Sequence, residues 1–347
     1  MAARARGPRP SAACVVRTAP KLSWRLLVEQ TIASVSLREI ARWCAWLLTA
    51  LLITAAVLTS FGRSCWACEL LSHFPAQLAL VALIPCVTFA VVGRRRALVI
   101  AAVIAAWNVA ALVPFYASVP TVLVPPPADA RVIRVVAVNV AAENRDRARV
   151  IGFVRATRPD VLIVTELNDF WVRALDAVAA DFPIRRLEPR DSHYGIALMS
   201  RLPLTILDDK PAGAHAVVAR LPQPRLTIVG THAFPPLSPQ LLLRRNQEFA
   251  ALAAFVRRQA EPVVLVGDLN SSSWSPAFRD LLRDAGLRDT RLGRGVQSTW
   301  PAWLPMVQIP IDHALVSPGV RVHGRFVGDR VGSDHLPVVL DFSVDAL

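Results

Sequence analysis

One stretch of the chain decides its fold: Pro262-Val263-Val264-Leu265-Val266-Gly267-Asp268-Leu269-Asn270. Its first part is a continuous apolar run of strand length, which is typical of a strand that is buried on both faces. Two polar residues with hard oxygen atoms, Asp268 and Asn270, follow the run directly. Ligands in α/β folds bind beyond the ends of such strands, so the stretch predicts a layered domain with a functional site at this strand end.

A second block of the same kind, Gly332-Ser333-Asp334-His335, stands before another apolar run. Four more polar residues end or begin predicted strands, namely Asn139, Glu166, His232 and Asp312. Because strand ends can meet at one edge of a sheet, we expect these side chains to converge. His313 directly follows Asp312 and should point to the opposite face of the strand, so we leave it out of the site.

Short runs rich in Val and Ile alternate with stretches of helical period between residues 131 and 347. Strands are predicted at 131–140, 160–165, 195–200, 214–221, 225–231, 262–267, 309–317, 320–327 and 336–342. Helices are predicted at 145–157, 169–180, 239–259 and 276–285. This order predicts a four-layered α/β sandwich, in which two packed β-sheets are flanked by helices.

The apolar residues, 54% of the chain, are concentrated before this domain. Three nearly uncharged runs, at 43–61, 75–93 and 97–120, each approach the roughly 20 residues that cross a bilayer as a helix. Buried helices of a soluble domain, or a cleaved signal peptide for the first run, are the alternatives. We predict a leader at 1–40, three transmembrane helices within 41–120, a proline-rich linker at 121–130 and a catalytic domain at 131–347.

The net charge of +13 lies mostly in the first third, since residues 1–118 carry +9 and residues 119–347 carry +4. Basic residues precede the first apolar run, and Arg94-Arg95-Arg96 separates the second from the third. The positive-inside rule places both groups in the cytoplasm and the C-terminal domain outside the plasma membrane. The pairs Arg185-Arg186, Arg244-Arg245 and Arg257-Arg258 are expected on solvated helix faces rather than in a phosphate groove.

All five cysteines precede the C-terminal domain, and two of them form the motif Cys65-Trp66-Ala67-Cys68. The motif is compatible with a disulfide, a redox pair, half of a metal site, or two unrelated small residues.

At its polar blocks the sequence resembles the endonuclease/exonuclease/phosphatase superfamily, the deoxyribonuclease-I-like fold, over about residues 131–342. The blocks, in the order of the family, are Val138-Asn139, Thr165-Glu166, Gly230-Thr231-His232, Gly267-Asp268-Leu269-Asn270, Ile311-Asp312-His313 and Gly332-Ser333-Asp334-His335. With its apolar N-terminal third, the chain also resembles membrane-anchored bacterial members, including the group tied to glycopeptide-antibiotic resistance.

The resemblance implies a Mg²⁺-dependent hydrolase of phosphoester bonds, with Mn²⁺ as the alternative metal. Glu166 would be the principal metal ligand, with Asn139 and Asp334 beside it, since oxygen ligands suit these cations. Asp268 would orient or deprotonate the attacking water. Taken singly, Asn139 could also be a turn former and Glu166 a helix cap.

The remaining site residues are assigned to the phosphate side. Asn270 and His232 would bind phosphate oxygens, with Tyr194 at the rim of the pocket. His335 would bind the phosphoryl group and offset its charge, while Asp312 would fix the orientation of the His335 ring. Outside this set, His193 is a candidate for the same rim, whereas His215 and His323 are expected at the surface or in packing.

The preferred function is a membrane-anchored phosphoesterase that acts on lipid-linked or envelope-derived phosphates, because a tethered enzyme meets lipid head groups at high effective concentration. Its partners would be the bilayer and the phosphoester, with no obligate protein partner. The alternative is an extracytoplasmic DNA or RNA nuclease, although the domain lacks a dense basic and aromatic stretch. A third hypothesis, an inactive membrane scaffold, is disfavoured by the complete set of polar residues.

Overall fold

The computed structural model describes residues 36–117 and 131–345. Most of the predicted leader and the whole predicted linker at 121–130 lie outside these described residues. The helices Leu37–Thr59, Pro75–Val91 and Arg95–Ala110 pack together, and residues 37–117, which comprise these helices and the segments that join and follow them, are called the N-terminal bundle. The short helices Trp66–Leu71 and Val113–Ala117 follow the first and third of them.

The bundle buries several alanines beside the larger Leu52, Phe89 and Ile104, and it turns many large apolar residues outward. Its buried positions include Ala45, Ala79, Ala82, Ala97 and Ala101. Its exposed large side chains include Trp43, Leu47, Leu51, Leu80, Leu83, Val87, Val99, Val103 and Trp107. A helix of a water-soluble domain turns its apolar stripe toward the core. Close packing through small residues, with large apolar residues outward, is instead typical of helices in lipid.

The prediction of three transmembrane helices is not confirmed. Within residues 36–117 and 131–345, one helix, Leu37–Thr59, is long and apolar enough to cross a membrane. The predicted runs at 75–93 and 97–120 form helices of only 17 and 16 residues. Gly93, with a φ of 74°, lies just beyond the end of the second helix, and the third gives way after Ala110 to a separate short helix.

Two six-stranded sheets follow the bundle. Their strands are β1 Ile133–Asn139, β2 Val161–Thr165, β3 Ile184–Glu188, β4 Ile196–Ser200, β5 Thr205–Leu207, β6 Ala216–Leu221, β7 Leu226–His232, β8 Val263–Asp268, β9 Arg288–Asp289, β10 Asp312–Val316, β11 Val320–Val327 and β12 Val338–Val344. The first sheet has the order β11-β12-β1-β2-β4-β3, and the second has the order β5-β6-β7-β8-β10-β9.

The two sheets pack face to face over a core of aliphatic side chains, among them Val135, Ile163, Ile228 and Val264. Helices cover the outer faces and bury a second apolar layer on each sheet. These helices are Arg147–Thr157, Asp169–Leu175, Pro239–Arg257 and Pro276–Ala285. All of β8 is buried, as its continuous apolar run predicts. The two packed sheets with flanking helices confirm the predicted α/β sandwich.

The largest differences from the predicted elements lie at the sheet edges. The edge strand β3 was not predicted, and it carries Arg185 and Arg186, which are exposed as expected but lie on a strand rather than on the predicted helix face. Charged side chains are common on edge strands because they discourage pairing with other chains, and here they mask the strand pattern. The predicted helix at 169–180 ends at Leu175 and continues as the 3₁₀ helix Asp176–Asp181.

The bundle docks on the sandwich through buried polar contacts. Glu69 and Arg245 are both 0% exposed, and Oε1 of Glu69 lies 2.7 Å from Nη2 of Arg245. Nδ1 of His73 lies 2.9 Å from Oγ of Ser272. The prediction of a solvated helix face is therefore wrong for Arg245, because the helix turns this residue toward the Trp66–Leu71 helix, where Glu69 neutralises its charge.

The parallel pairing of β7 and β8 requires a glycine at position 267. A Cβ atom at Gly267 would lie 1.9 Å from the carbonyl oxygen of Thr231, and its φ is 143°. We therefore predict that Gly267→Ala destabilises the protein by about 3 kcal/mol or more. Thermal unfolding followed by circular dichroism will measure the loss.

Gly152 provides the matched control, because it lies within a helix and a Cβ atom there would meet nothing within 4 Å. Gly152→Ala should stabilise the protein by about 0.5–1 kcal/mol. Equal melting temperatures for the two variants would show that the close approach of β7 and β8 does not constrain the fold.

Candidate active site

Polar side chains from both sheets meet at one edge of the sandwich. The parallel strands β1 and β2 end at Asn139 and just before Glu166. The parallel strands β7 and β8 end at His232 and Asp268, which lie opposite each other. The antiparallel strand β10 begins with Asp312 directly across from Asp268. The structure thus brings together residues that are far apart in the sequence.

Glu166 is held at this edge by hydrogen bonds to both of its oxygens. Oε2 lies 3.0 Å from the backbone nitrogen of Ala142 and 3.0 Å from Nδ1 of His193. Nδ2 of Asn139 donates to Oε1 of Glu166 at 3.0 Å and to Oδ2 of Asp268 at 3.1 Å. Although burial opposes it, these bonds from His193, Ala142 and Asn139 lower the pKa of Glu166. Asn139 therefore joins two carboxylates.

The backbone of Glu166 is strained at this edge of the sheet. Its φ of 60° lies in the left-handed region, which non-glycine residues rarely adopt. Such strain persists only where the surrounding structure enforces it, and it is concentrated at functional sites. The turn after β2 thus has a physical mark of function that the sequence pattern does not carry.

Asp268, Asp312 and His335 form a buried cluster. Nδ1 of His335 lies 2.9 Å from Oδ2 of Asp312 and 3.6 Å from Oδ2 of Asp268. Burial opposes the charge on the ring, but the two carboxylates raise the pKa of His335 to about 10. Burial and the charge of Asp312 raise the pKa of Asp268 to about 8. The protonated ring supplies a positive charge to this cluster of carboxyl groups.

A histidine–asparagine pair and an aromatic cluster form another side of the site. Nδ2 of Asn270 donates to the carbonyl oxygen of Ala233 at 2.9 Å and lies 3.4 Å from Nε2 of His232. Burial lowers the pKa of His232 to about 4, so its ring is neutral at pH 7. Tyr194 stacks on His215 with 4.7 Å between the ring centroids and lies 5.4 Å from His232. His215 thus packs behind the site.

One pocket of about 270 Å³ gathers most of the predicted site residues. Those that line it are Glu166, Tyr194, His232, Asp268, Asn270, Asp334 and His335. Asn139 and Asp312 do not line the pocket but lie behind its lining residues. Asn139 contacts the carboxylates of Glu166 and Asp268, and Asp312 contacts the ring of His335. His313 is buried, and its Nε2 donates to the carbonyl oxygen of Ser271 at 2.7 Å.

The pocket also has a largely apolar wall that the sequence did not predict. Its residues are Leu70, His73, Pro235, Pro236, Leu237, Trp300, Ile309 and Ile311. Trp300 additionally donates from Nε1 to Oδ2 of Asp334 at 2.9 Å. Leu70 and His73 come from the bundle, far from the catalytic blocks in the sequence, and reach the pocket only because the bundle docks. No sequence signal marks them.

His73 presents a neutral hydrogen-bond donor in this wall. The backbone N–H of Ser272 donates to Nδ1 of His73 at 3.3 Å. Because a backbone N–H can only donate, Nδ1 must accept and the ring proton must reside on Nε2. Burial and the charge of Arg245 lower the pKa of His73 to about 3, so the ring remains neutral.

A divalent cation fits at the acidic end of the pocket. Glu166 and Asp334 both line the pocket, and Glu143, Glu166 and His193 offer ligand atoms within 4.8 Å of one another. Most of these donors are carboxylate oxygens, which suit hard divalent cations. Asn139 turns its amide nitrogen toward Glu166, which makes it a support for that carboxylate.

Comparisons with known proteins agree with this geometry. A family model described as the Endonuclease/Exonuclease/phosphatase family matches residues 105–335. The comparison with curated proteins found no match.

Several solved structures share the fold. TDP2 from D. rerio, complexed with single-strand DNA product, is 17% identical with a TM-score of 0.51, and the match covers 61% of this chain and 99% of that chain. The 3′ phosphatase NExo from Neisseria, bound to a product DNA hairpin, is 22% identical with a TM-score of 0.50 and the same coverage of 61% and 99%. A Bacteroides vulgatus endonuclease/exonuclease/phosphatase is 16% identical with a TM-score of 0.50, covering 62% and 100%.

The buried cluster predicts how His335 titrates. Because its pKa is raised above the ordinary value of 6.5 to about 10, the charged ring contributes stability that is full below pH 6.5 and is lost as the pH rises through about 10. Asp312→Asn removes one carboxylate and should lower the pKa of His335 toward 6.5. NMR titration of histidine-labelled protein will measure this shift. His323, which contacts Ser343 on β12, is the internal control and should titrate as before.

Proposed function

The chain belongs to the endonuclease/exonuclease/phosphatase family, whose members are metal-dependent hydrolases of phosphoester bonds, and on that premise we propose that it is a membrane-anchored phosphoesterase acting on lipid-linked or envelope-derived phosphates. One observation carries the proposal. A bundle with an apolar exterior supplies Leu70 and His73 to the wall of the active-site pocket. In the proposed enzyme, the substrate binds at the junction between the bundle and the catalytic domain.

In the proposed reaction, Asp268 orients the attacking water and, in its ionised form, accepts the proton of that water; its pKa of about 8 means that this form becomes more abundant as the pH rises toward 8. The position of Asp268 supports this role, because Oδ1 accepts from the backbone N–H of Asn270 at 2.8 Å and the residue lines the pocket. His335 remains cationic against Asp312 and offsets the charge that develops on the phosphoryl oxygens. Neutral His232 and Asn270 contact the remaining phosphate oxygens, and Tyr194 borders the substrate.

Glu166 and Asp334 would hold the divalent cation, which we propose to be Mg²⁺. When bound, the cation would polarise a phosphoryl oxygen and offset charge on the leaving group. Asn139 keeps the carboxylate of Glu166 in place through its hydrogen bond at 3.0 Å. Trp300 does the same for Asp334 at 2.9 Å.

We propose that the whole bundle lies in the plasma membrane, with the N-terminus in the cytoplasm and the catalytic domain outside. Arg42 and Arg94–Arg96 gather at one end of the bundle beside Trp43 and Trp46. Arginines mark the cytoplasmic side of membrane helices, and tryptophans are enriched at both membrane interfaces. The domain docks at the other end, where Trp274 donates to the carbonyl oxygen of Ala111 at 2.9 Å. The outward apolar side chains support membrane insertion of all three helices.

An amphiphilic phosphoester suits the pocket best. The donors of His73 and His335 lie in the same pocket as the apolar side chains of Leu70, Ile309 and Ile311. Nucleic acid is the competing substrate, since two proteins with this fold are described with bound DNA. The modest charge of +4 on residues 119–347 gives little attraction to a phosphate backbone.

A substrate comparison tests the proposal. We expect the full chain, reconstituted in vesicles with Mg²⁺, to hydrolyse embedded polyprenyl phosphate or phospholipid and to leave plasmid DNA largely intact. Phosphate release and gel electrophoresis measure the two reactions. Rapid cleavage of DNA with untouched lipids would contradict a lipid substrate and favour a nuclease.

The site assignment has its own test. We expect Glu166→Ala and His335→Ala each to lower kcat by about 100-fold or more, because each removes charge stabilisation of the reacting group. Chelation by EDTA should abolish hydrolysis, and added Mg²⁺ should restore it. His323→Ala, which changes a histidine bonded to Ser343 away from the pocket, should retain full activity. Full activity of the first two variants would place the reaction elsewhere.

A further inference from the structure

Five consecutive apolar residues, Trp303-Leu304-Pro305-Met306-Val307, are exposed beside the active site. We call this segment the apolar loop. Trp303 is 66% exposed and Met306 is 77% exposed. A run of this kind on a soluble surface favours aggregation and usually marks an interaction site. The loop therefore requires a covering partner.

The base of the apolar loop is firmly built. Trp300 and Ile309 form a β-bridge, with hydrogen bonds of 3.0 and 2.6 Å between their backbones. The backbone N–H of Ala302 donates to the carbonyl oxygen of Asp334 at 2.7 Å, and Pro301 and Ala302 are buried. A fixed base with an exposed apolar tip is the arrangement expected of a segment that inserts into an apolar environment such as a lipid bilayer.

The apolar loop also lies beside the bundle. Nε2 of Gln77, in the first turn of the helix Pro75–Val91, donates to the carbonyl oxygen of Gln308 at 2.9 Å. One turn further along this helix, Leu80 is 62% exposed. Through this contact, the apolar loop lies beside the helix whose outward apolar side chains include Leu80. This proximity favours, as the partner of the loop, the lipid that we propose to surround the bundle.

The base of the apolar loop is at the same time part of the active-site wall. Trp300 and Ile309 both line the pocket, and so does Leu237, which is 58% exposed. Trp300 and Ile309 therefore form an apolar path from the base of the loop into the pocket. A substrate with a hydrocarbon chain can follow this path while its phosphate reaches His335.

We propose that the apolar loop inserts into the outer leaflet of the bilayer and opens the pocket toward the lipid, so that an amphiphilic phosphoester enters sideways from the membrane. The proposal rests on the proposed phosphoesterase function and specifies how its substrate arrives. Trp303 is suited to the interface, because its ring is apolar while its N–H can meet a polar head group. The loop takes no part in the chemical step.

The test compares one enzyme on two substrates. The variant carries Trp303→Ser, Met306→Ser and Val307→Ser, none of which lines the pocket. We expect its kcat/KM to fall by about tenfold or more for polyprenyl phosphate in vesicles, because apolar area in contact with lipid is lost. Its kcat/KM for a soluble aryl phosphate ester should stay unchanged. Phe326→Ser is the matched control, since Phe326 is 41% exposed on β11 and should affect neither substrate.

A second measurement tests insertion without any chemistry. Lipids with brominated acyl chains quench the fluorescence of tryptophans that lie among those chains. If Trp303 inserts, the Trp303→Phe variant should show less quenching than the wild type. Unchanged quenching, or equal losses on both substrates, would overturn membrane insertion of the loop while leaving the phosphoesterase intact. Absence of hydrolysis of every phosphoester by the wild type would instead refute the proposed function, and the quenching result would still decide on insertion.

Discussion

The buried ion pair between Glu69 and Arg245 is the contact on which the rest of the structure depends. Both side chains are 0% exposed, and their charged atoms lie 2.7 Å apart. Arg245 also donates to Oγ of Ser271 at 2.9 Å, one residue after Asn270. Removing one partner of such a pair typically costs about 3–5 kcal/mol, because the other charge stays buried without compensation. The pair thus fixes the bundle against the loop after β8, which carries the proposed site residue Asn270.

Because the bundle docks on the sandwich, residues from both parts line the pocket. The sandwich supplies the polar groups at the ends of β2, β7 and β8, as the α/β architecture dictates. The bundle supplies an apolar side chain and a neutral donor, Leu70 and His73. We propose that the first set carries out the hydrolysis, whereas the second set is present only where the bundle docks. We infer that substrate selection is built into the contact between the two parts.

Much of the fold follows from the sequence, because buried strands such as β8 are continuous apolar runs with polar ends. The same pattern supplied the residues that gather in the pocket, including Asp268 and His335. It could not supply His73 or the burial of Arg245, since both depend on a contact between segments more than a hundred residues apart. Edge strand β3 was missed because its charges break the alternation that reveals strands.

The most direct test of the account is a double-mutant cycle on the docking pair, read out as hydrolysis of polyprenyl phosphate in vesicles. Glu69→Leu and Arg245→Met should each strongly reduce activity, because each leaves a buried charge unpaired. The double variant should recover much of it, since two apolar side chains of similar volume can fill the same space. Full activity of both single variants would contradict the account, because the bundle would then have no part in building the active site.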